Sequence, residues 1–292
     1  MYAIVGAAGK VGYAAASALR QSGVPVRAVL RNASKAARLA EIGCEVAFAD
    51  IQDSEALANA IAGANAVQVV VPLTPQAEDP AADLRRSIAS LSAALQHARP
   101  PRTLAISDYG AYVDADIGMP SLFREFERQL ARIGGDTLIV RSAEHMQNWA
   151  RTVPAAIESG RLPTLLAPLD KVVPTISAPD LGTIAAALLL RPEWQRGLAV
   201  CHAEGPRRYS ANDVAAALSE LSGRTIDAHA VPRGHWDEIM HRSLPASLAV
   251  LLIKATDAVN RGGLVDIEGH DGEVCRGATA LIDALRPLVP RR

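Results

Sequence analysis

The 292-residue chain lacks a long apolar run and an excess of charge of either sign. Its longest apolar stretches, such as Ile184 to Leu190, are far shorter than the ~20 residues that a transmembrane helix requires. Its 30 basic and 31 acidic residues give a formal net charge of -1, and they are scattered along the chain. The composition therefore argues against a membrane or nucleic-acid partner and favours a small molecule.

Cysteine is also scarce. Cys44, Cys201 and Cys275 are odd in number and widely separated, a pattern that favours reduced thiols over a disulfide framework or a zinc site. His235 and His241 are six residues apart and share no helical face with a third ligand, so we predict no bound metal. The N-terminus shows no secretion signal, and we expect a cytoplasmic protein.

The first half of the chain does contain a regular alternation of short β-branched apolar segments with alanine-rich amphipathic ones. This alternation is typical of βαβ units that build a parallel sheet. The predicted strands are Tyr2 to Val5, Val24 to Leu30, Glu45 to Ala49, Ala66 to Val71, Thr103 to Ile106 and Thr137 to Val140. The predicted helices are Lys10 to Ser22, Ser34 to Ile42, a helix capped by Ser54 that runs to Ala62, Ala81 to His97 and Met119 to Ile133. We therefore predict an α/β fold with a Rossmann-type doubly wound parallel sheet.

After Val140 the alternation is interrupted by five prolines that forbid a long helix before residue 180. A helix is then predicted from Ser177 to Leu190, a strand from Leu198 to Ala203, a helix capped by Ser210, and a strand from Thr225 to Val231. We expect an NAD(P)-binding domain over residues 1–150, to which 175–203 returns. Residues 151–174 and 204–292 are expected to form a smaller α+β domain on the substrate side.

A glycine-rich turn lies directly after the first predicted strand and opens the first predicted helix. It contains Gly6, Gly9 and Gly12. In this context the three glycines permit a tight turn, a close approach of the backbone to a pyrophosphate, and packing of the helix on the strand. The free N–H groups at the start of the helix would then face the phosphates. The alternative is a strand-helix turn without a ligand.

The second strand ends in Arg31, where NAD-binding sites place an acidic residue that accepts a hydrogen bond from the ribose. A guanidinium pairs well with a phosphate, so Arg31, with Asn32 and Lys35 behind it, favours NADP(H) over NAD(H). Asp50, at the end of the third strand, is placed to cap the adenine amine. The alternatives are a solvated arginine and an aspartate that only begins a loop.

Five segments together resemble the NmrA-like atypical short-chain dehydrogenase/reductases, and most closely the type 2 NAD(P)H:quinone oxidoreductases among them. They are MYAIVGAAGKVG, VLRNASKA, ADIQDSEAL, FERQLARIGGDTLIVRSAEHMQNW and RGGLVDI. The resemblance spans nearly the whole chain. It implies NAD(P)H as cofactor and a quinone or a similar acceptor as substrate.

The resemblance also implies a position for each part of the cofactor. Gly6, Gly9, Lys10 and Val11 would lie under the pyrophosphate, and Arg31 at the adenosine ribose. Asp50 and Ile51 would flank the adenine, Val71 and Pro72 would line the path to the nicotinamide, and Arg141 to Asn148 would form the wall beside its ring. Ala8 departs from the threonine usual in the family. The full predicted cofactor set is Gly6, Ala8, Gly9, Lys10, Val11, Gly12, Arg31, Lys35, Asp50, Ile51, Val71, Pro72 and Ser107.

The chain has no Tyr-x-x-x-Lys pair of the kind that transfers a proton in short-chain dehydrogenases, because Val113 and Asp116 follow Tyr109 and Tyr112 at that spacing. The acceptor would then need no positioned protein acid, as is true of a quinone. The candidate catalytic residues are Tyr109, His145 and Asn148, and Trp149 is a further candidate for substrate contact. The alternatives are structural hydrogen bonding for the tyrosine and histidine, and anchoring of an irregular segment for the other two.

The sequence therefore predicts an NADPH-dependent oxidoreductase that transfers hydride to a quinone or a similar small electron acceptor. A non-catalytic NADP(H)-binding redox sensor is the alternative, because the usual catalytic pair is missing. An isomerase or epimerase fits less well, since such enzymes also use that pair. We expect a monomer or a homodimer, because the apolar helix from Ala81 to His97 could cover the sheet or a second subunit.

Overall fold

The computed structural model describes residues 1–265 and 272–290. Its strands are β1 (Tyr2–Val5), β2 (Val26–Leu30), β3 (Glu45–Phe48), β4 (Ala66–Val70), β5 (Arg102–Asp108), β6 (Asp136–Ser142), β7 (Glu144–His145), β8 (Arg161–Thr164), β9 (Thr175–Ile176), β10 (Leu198–Glu204), β11 (Asp227–Ala230) and β12 (Glu273–Arg276). Its helices are α1 (Lys10–Gln21), α2 (Ala36–Glu41), α3 (Ser54–Ile61), α4 (Pro80–Ala98), α5 (Met119–Leu130), α6 (Val153–Ser159), α7 (Ala178–Leu189), α8 (Ala211–Ser222), α9 (Trp236–Ser243), α10 (Ala246–Arg261) and α11 (Leu281–Leu285). Short 3₁₀ turns cover Ala33–Lys35, Met146–Arg151, Arg233–His235 and Arg286–Leu288.

Eight strands form one central sheet in the order β12-β10-β6-β5-β4-β1-β2-β3. Every neighbouring pair in it is parallel. The strand order reverses beside β1, and such a reversal opens a crevice at the carboxyl ends of the strands. The predicted Rossmann-type α/β fold is confirmed.

Side chains that alternate along each strand fill two hydrophobic layers, one on each face of the sheet. Ile4 of β1 lies in the layer that contains residues of α1 and α7, whereas Val5 lies in the layer with residues of α3, α4 and α5. Helices α1 and α7 approach closely, because a Cβ atom on Gly182 would lie only 2.3 Å from the carbonyl oxygen of Val11. This packing holds the start of α1 firmly against the sheet.

The proline-rich segment contains α6, which the sequence did not predict. Pro154 is tolerated in its first turn because the N–H group that proline lacks has no helical partner there. The helix α3 is capped by Asp53, whose carboxylate accepts a hydrogen bond from the N–H of Ala56 at 3.0 Å. The predicted cap, Ser54, is instead the first residue of the helix.

The segment predicted as a smaller domain is divided between two places. Residues of α6, α8 and α11 share a third hydrophobic cluster, beside the two-stranded sheet of β8 and β11. By contrast, β12 pairs with β10 at the edge of the central sheet, and α10 contacts α4 and α5. Residues 266–271 and 291–292, which include the last two residues of the RGGLVDI motif, lie outside the described residues. No helix in the described ranges is long and apolar enough to span a bilayer.

One buried polar residue leads to a prediction about stability. Gln68 in β4 is 0% exposed, and neither its side-chain nitrogen nor its oxygen has a hydrogen-bond partner among the described residues. Replacing it with the similarly shaped methionine removes the cost of burying an unpaired amide. We expect Gln68→Met to raise the free energy of unfolding by about 1–3 kcal/mol, as measured by urea denaturation.

The matched control is Gln96→Met on the exposed surface of α4, which we expect to leave the unfolding free energy unchanged. A loss of stability in Gln68→Met would show that the buried amide is hydrogen-bonded in solution.

Candidate functional site

A cavity of about 840 Å³ lies at the carboxyl edge of the central sheet, over the ends of β1, β2, β4, β5 and β6. This is the edge at which open parallel sheets bind ligands. The predicted cofactor residues that line it are Gly6, Ala8, Gly9, Lys10, Val11, Gly12, Arg31, Lys35, Ile51, Val71, Pro72 and Ser107. Residues distant in sequence are thus brought to one surface by the strand ends.

The glycine turn has the geometry of a phosphate cradle. Gly6 adopts a φ of +82°, which favours glycine. A Cβ atom on Gly12 would lie 2.3 Å from the carbonyl oxygen of Gly6, so only glycine fits there. Gly9 caps α1 without a side-chain hydrogen bond. The N–H groups of the first turn of α1 therefore stay available for an anion at the positive end of the helix dipole.

Three cations surround this cradle. Lys10, Arg31 and Lys35 are all exposed and line the cavity. None of them forms an ion pair within the described residues. Asn32 holds the loop between the last two, because its side-chain oxygen accepts a hydrogen bond from the N–H of Ser34 at 2.9 Å. The uncapped helix and the three cations fit a ligand with several phosphate groups.

Asp50 does not line the cavity, although its neighbours Ala49 and Ile51 do, and its place at the adenine stays a prediction. It is exposed, and its Oδ1 accepts a hydrogen bond from the N–H of Gln52 at 2.9 Å. That local bond stabilises the turn between β3 and α3, which is the alternative role that the sequence left open.

Tyr109 also lies away from the cavity, which corrects its proposed contact with substrate. It is only 3% exposed, and its hydroxyl donates a hydrogen bond to Oε1 of Glu204 at 2.5 Å. Its ring meets that of His202 edge to face, with the centroids 5.4 Å apart. Both partners come from β10, which is nearly a hundred residues further along the chain.

The segment after β6 supplies one wall of the cavity, and two of the candidate residues, His145 and Asn148, line it. Burial lowers the pKa of the His145 imidazole, Glu144 opposes this, and the charge of Lys10 lowers it further. The lowered pKa favours the neutral form of the imidazole. Asn148 donates a hydrogen bond to Oε1 of Glu144 at 2.6 Å. Trp149 packs against the third hydrophobic cluster and does not line the cavity.

Two supporting contacts of this wall were not predicted. Oε1 of Gln147 accepts a hydrogen bond from the N–H of Ala178 at 2.9 Å, and its amide nitrogen donates one to Oγ of Ser177 at 3.1 Å. Gln147 therefore ties the wall to the start of α7. The sequence placed Gln147 in this wall but gave no signal for these two contacts, because its partners lie about thirty residues away.

Ser107 is held by a second unpredicted group. Its hydroxyl donates a hydrogen bond to Oε1 of buried Glu127 at 2.5 Å, and Glu127 also forms an ion pair with Arg141 at 2.8 Å. The contact joins the end of β5 to α5 and β6. It fixes the floor of the cavity between the two strands.

An apolar wall also lines the cavity. It consists of Met119 and Phe123 of α5 and of Leu248 and Leu252 of α10. Leu73, in the loop after β4, lies beside the same space and is 37% exposed. The sequence did not point to these residues, because α10 reaches the cavity only through the tertiary fold. The described part of the chain has no cluster of residues that could hold a metal ion.

Comparison with known families agrees with this site. Residues 6–133 match the model of a family described as NAD(P)H-binding. An NAD(P)H azoreductase of Xenophilus azovorans is 27% identical over 250 residues, which cover 85% of this chain and 84% of that protein. Quinone oxidoreductase 2 of Escherichia coli is 25% identical over 273 residues, which cover 91% and 90% of the two chains.

Solved structures share the fold over almost their whole length. The NADPH-dependent quinone oxidoreductase of Escherichia coli in complex with NADPH gives a TM-score of 0.81 at 23% identity, with 99% of both chains covered. The triphenylmethane reductase of a Citrobacter species in complex with NADP(H) gives 0.80 at 20% identity, with 99% and 100% covered. The predicted resemblance is confirmed.

Proposed function

We propose that this chain, whose residues 6–133 match a family model described as NAD(P)H-binding, is an NADPH-dependent oxidoreductase that transfers hydride to a quinone or a similar small electron acceptor. The observation that carries the proposal is the cavity itself. A phosphate cradle and three cations line it, and so does an apolar wall from α5 and α10. The curated relatives support the same reaction type, since their names describe NAD(P)H azoreductase and quinone oxidoreductase activities.

The residues would act mainly by positioning. The first turn of α1 and Lys10 would hold the pyrophosphate, while Ser107 and the segment from His145 to Asn148 would enclose the nicotinamide end. When bound, the reduced nicotinamide supplies a hydride, which carries two electrons to the acceptor. A proton from solvent then completes the hydroquinone. The hydroquinone anion is stabilised by its ring, so the protein needs no strongly acidic group.

The positions of Tyr109 and Tyr112 support an acceptor of this kind. Tyr109 donates its hydroxyl hydrogen bond to Glu204, and Tyr112 donates its own to the carbonyl oxygen of Leu264. Within the described residues, no tyrosine lines the cavity. An alcohol or ketone substrate needs a placed proton donor or acceptor, whereas a quinone does not.

The test of the reaction is to mix the purified chain with NADPH and a panel of quinones, and to follow the loss of nicotinamide absorbance. We expect turnover with at least one quinone. Tight NADPH binding without turnover on any acceptor would contradict the proposal and favour the redox sensor.

The exposed cations after β2 support a preference for NADPH, because Arg31 and Lys35 line the adenosine end of the cavity and have no ion-pair partner within the described ranges. We expect Arg31→Ala to raise the Kd for NADPH by about tenfold or more, because a charge-assisted bond to phosphate contributes about 1.5–3 kcal/mol. The Kd for NADH should change little. Fluorescence titration with both nucleotides measures the two effects.

Arg132→Ala is the matched control, because Arg132 is exposed and lies outside the cavity. Equal losses for NADPH and NADH in Arg31→Ala would show that Arg31 does not distinguish the two.

A further inference from the structure

Four cations line the cavity, and one of them comes from the segment after β6. They are Lys10, Arg31, Lys35 and Arg151. The first three surround the phosphate cradle and the end of β2. Arg151 is instead the last residue of the 3₁₀ turn Met146–Arg151. This turn follows β6 and the short strand β7.

Arg151 follows β6, whereas Arg31 and Lys35 follow β2. Strands β2 and β6 are separated in the sheet by β1, β4 and β5, which makes four strand intervals. At ~4.8 Å for each interval, the two strands lie roughly 19 Å apart. A phosphate on the adenosine ribose would lie at the end of β2, whereas Arg151 lies on the segment that leaves the end of β6.

Arg151 also has no counter-charge of its own. It is exposed, and no hydrogen bond or ion pair joins it to another described residue. The carboxylates that line the same cavity are Asp108 and Glu144, and neither is paired with it. Glu144 accepts a hydrogen bond from Asn148. A guanidinium that faces a ligand cavity without a partner is suited to an anionic group on the ligand.

The apolar wall faces the same space. Met119, Phe123 and Leu252 are partly exposed towards the cavity, and Leu248 is fully buried behind them. Covering such a surface with a flat aromatic ring removes apolar area from water and therefore favours binding of the ring. The two walls thus offer different chemistry, one apolar and one cationic.

We propose that the apolar wall of this cavity and Arg151 form a subsite for a planar aromatic acceptor with an anionic substituent, in which the ring lies against the apolar wall and the sulfonate or carboxylate pairs with Arg151. The inference rests on the proposed reductase function and names its substrate class. It makes Arg151 a specificity-determining residue, and it assigns the other three cations to the dinucleotide.

The test compares naphthoquinone with naphthoquinone sulfonate as acceptors, at saturating NADPH, in the wild-type chain and in Arg151→Met. For the sulfonate we expect the substitution to raise KM by about tenfold with kcat nearly unchanged. For the neutral quinone, KM should change by less than about twofold, as should the Kd for NADPH. Arg151→Lys keeps the positive charge, so its KM for the sulfonate should lie between those of the wild type and Arg151→Met.

Arg132→Met is the control, because it removes an exposed arginine outside the cavity. An equal KM change for both acceptors in Arg151→Met, or none for the sulfonate, overturns the anionic subsite while the reductase function stands. A rise in the Kd for NADPH as large as the rise in KM would place Arg151 on the cofactor and also overturn it. If the wild-type chain reduces neither quinone, the proposed function fails and the subsite fails with it.

Discussion

Gly12→Ala is expected to raise the Kd for NADPH by about a hundredfold or more, because a small displacement of a binding group can cost this much. The added Cβ atom would lie 2.3 Å from the carbonyl oxygen of Gly6 and 2.8 Å from Cα of Ala7. Both neighbours are backbone atoms that cannot rotate away. The turn must open, and the N–H groups at the start of α1 then leave the positions that face the pyrophosphate.

Two further variants distinguish a local effect on the glycine turn from a general loss of folding. A Cβ atom on Gly9 would meet only the carbonyl oxygen of Gly6, at an ordinary 3.4 Å, so Gly9→Ala should fold normally and weaken NADPH only through the methyl group that faces the ligand. Gly234→Ala, with open space around its Cβ position, should change neither property. Titration with NADPH and the thermal midpoint are measured for all three. An unchanged Kd in Gly12→Ala would contradict the assigned role of the turn.

Glu204→Gln should destabilise the folded chain by about 3 kcal/mol, the lower end of the range for breaking a buried ion pair. Glu204 is 2% exposed, and its carboxylate lies 2.8 Å from Arg208 and 3.3 Å from Arg276. It also accepts the hydrogen bond of Tyr109. Loss of the negative charge leaves two arginines without their counter-charge, and both are partly exposed, which limits the cost. Urea denaturation at neutral pH measures the change.

The same group predicts how stability depends on pH. Burial raises the pKa of the Glu204 carboxyl, but the hydrogen bonds from Arg208 and Tyr109 and the charges of both arginines outweigh it, so the pKa lies below its usual range. Because this pKa is lower in the folded chain than in the unfolded chain, the ionised Glu204 stabilises the fold. The stabilisation is fully present above the unfolded pKa of about 4.3 and is lost as the pH falls through the folded pKa.

The loss of stability between neutral and acidic pH should therefore be smaller in Glu204→Gln than in the wild type. Exposed Glu220→Gln is the control and should keep the wild-type pH profile. An identical profile in Glu204→Gln would mean that the buried cluster does not depend on this charge.

The sequence predicted the features that depend on local backbone geometry. The alternation of apolar segments identified the strands and helices of the first half, because the period of hydrophobicity follows the geometry of each element. The turn at Gly6 and Gly12 was recognisable because its function requires residues without a Cβ atom at fixed spacing. Arg31 could be singled out because it directly follows β2, the strand that comes next after the glycine turn. The structure places it at the cavity.

Features that depend on distant pairing were missed or misplaced. Tyr109 follows a strand end, where ligands bind, yet it is turned towards Glu204, its partner 95 residues away. Strand β12 is only four residues long, and its pairing with β10 is visible only in the fold. Residue type alone does not assign Asp50, because an aspartate after a strand can serve a ligand or its own loop; in the structure its carboxylate accepts a hydrogen bond from the N–H of Gln52.

The sequence by itself determined that this chain has a dinucleotide turn on a Rossmann-type sheet, because backbone conformation and strand order follow from short-range patterns. Only the tertiary structure decided which residues line the rest of the cavity. It brings Phe123 and Leu252, more than a hundred residues apart, to one apolar wall, and it places Arg151 without a partner in the same cavity. Burial of apolar faces arranges α5 and α10 in this way, and that packing depends on the whole chain at once.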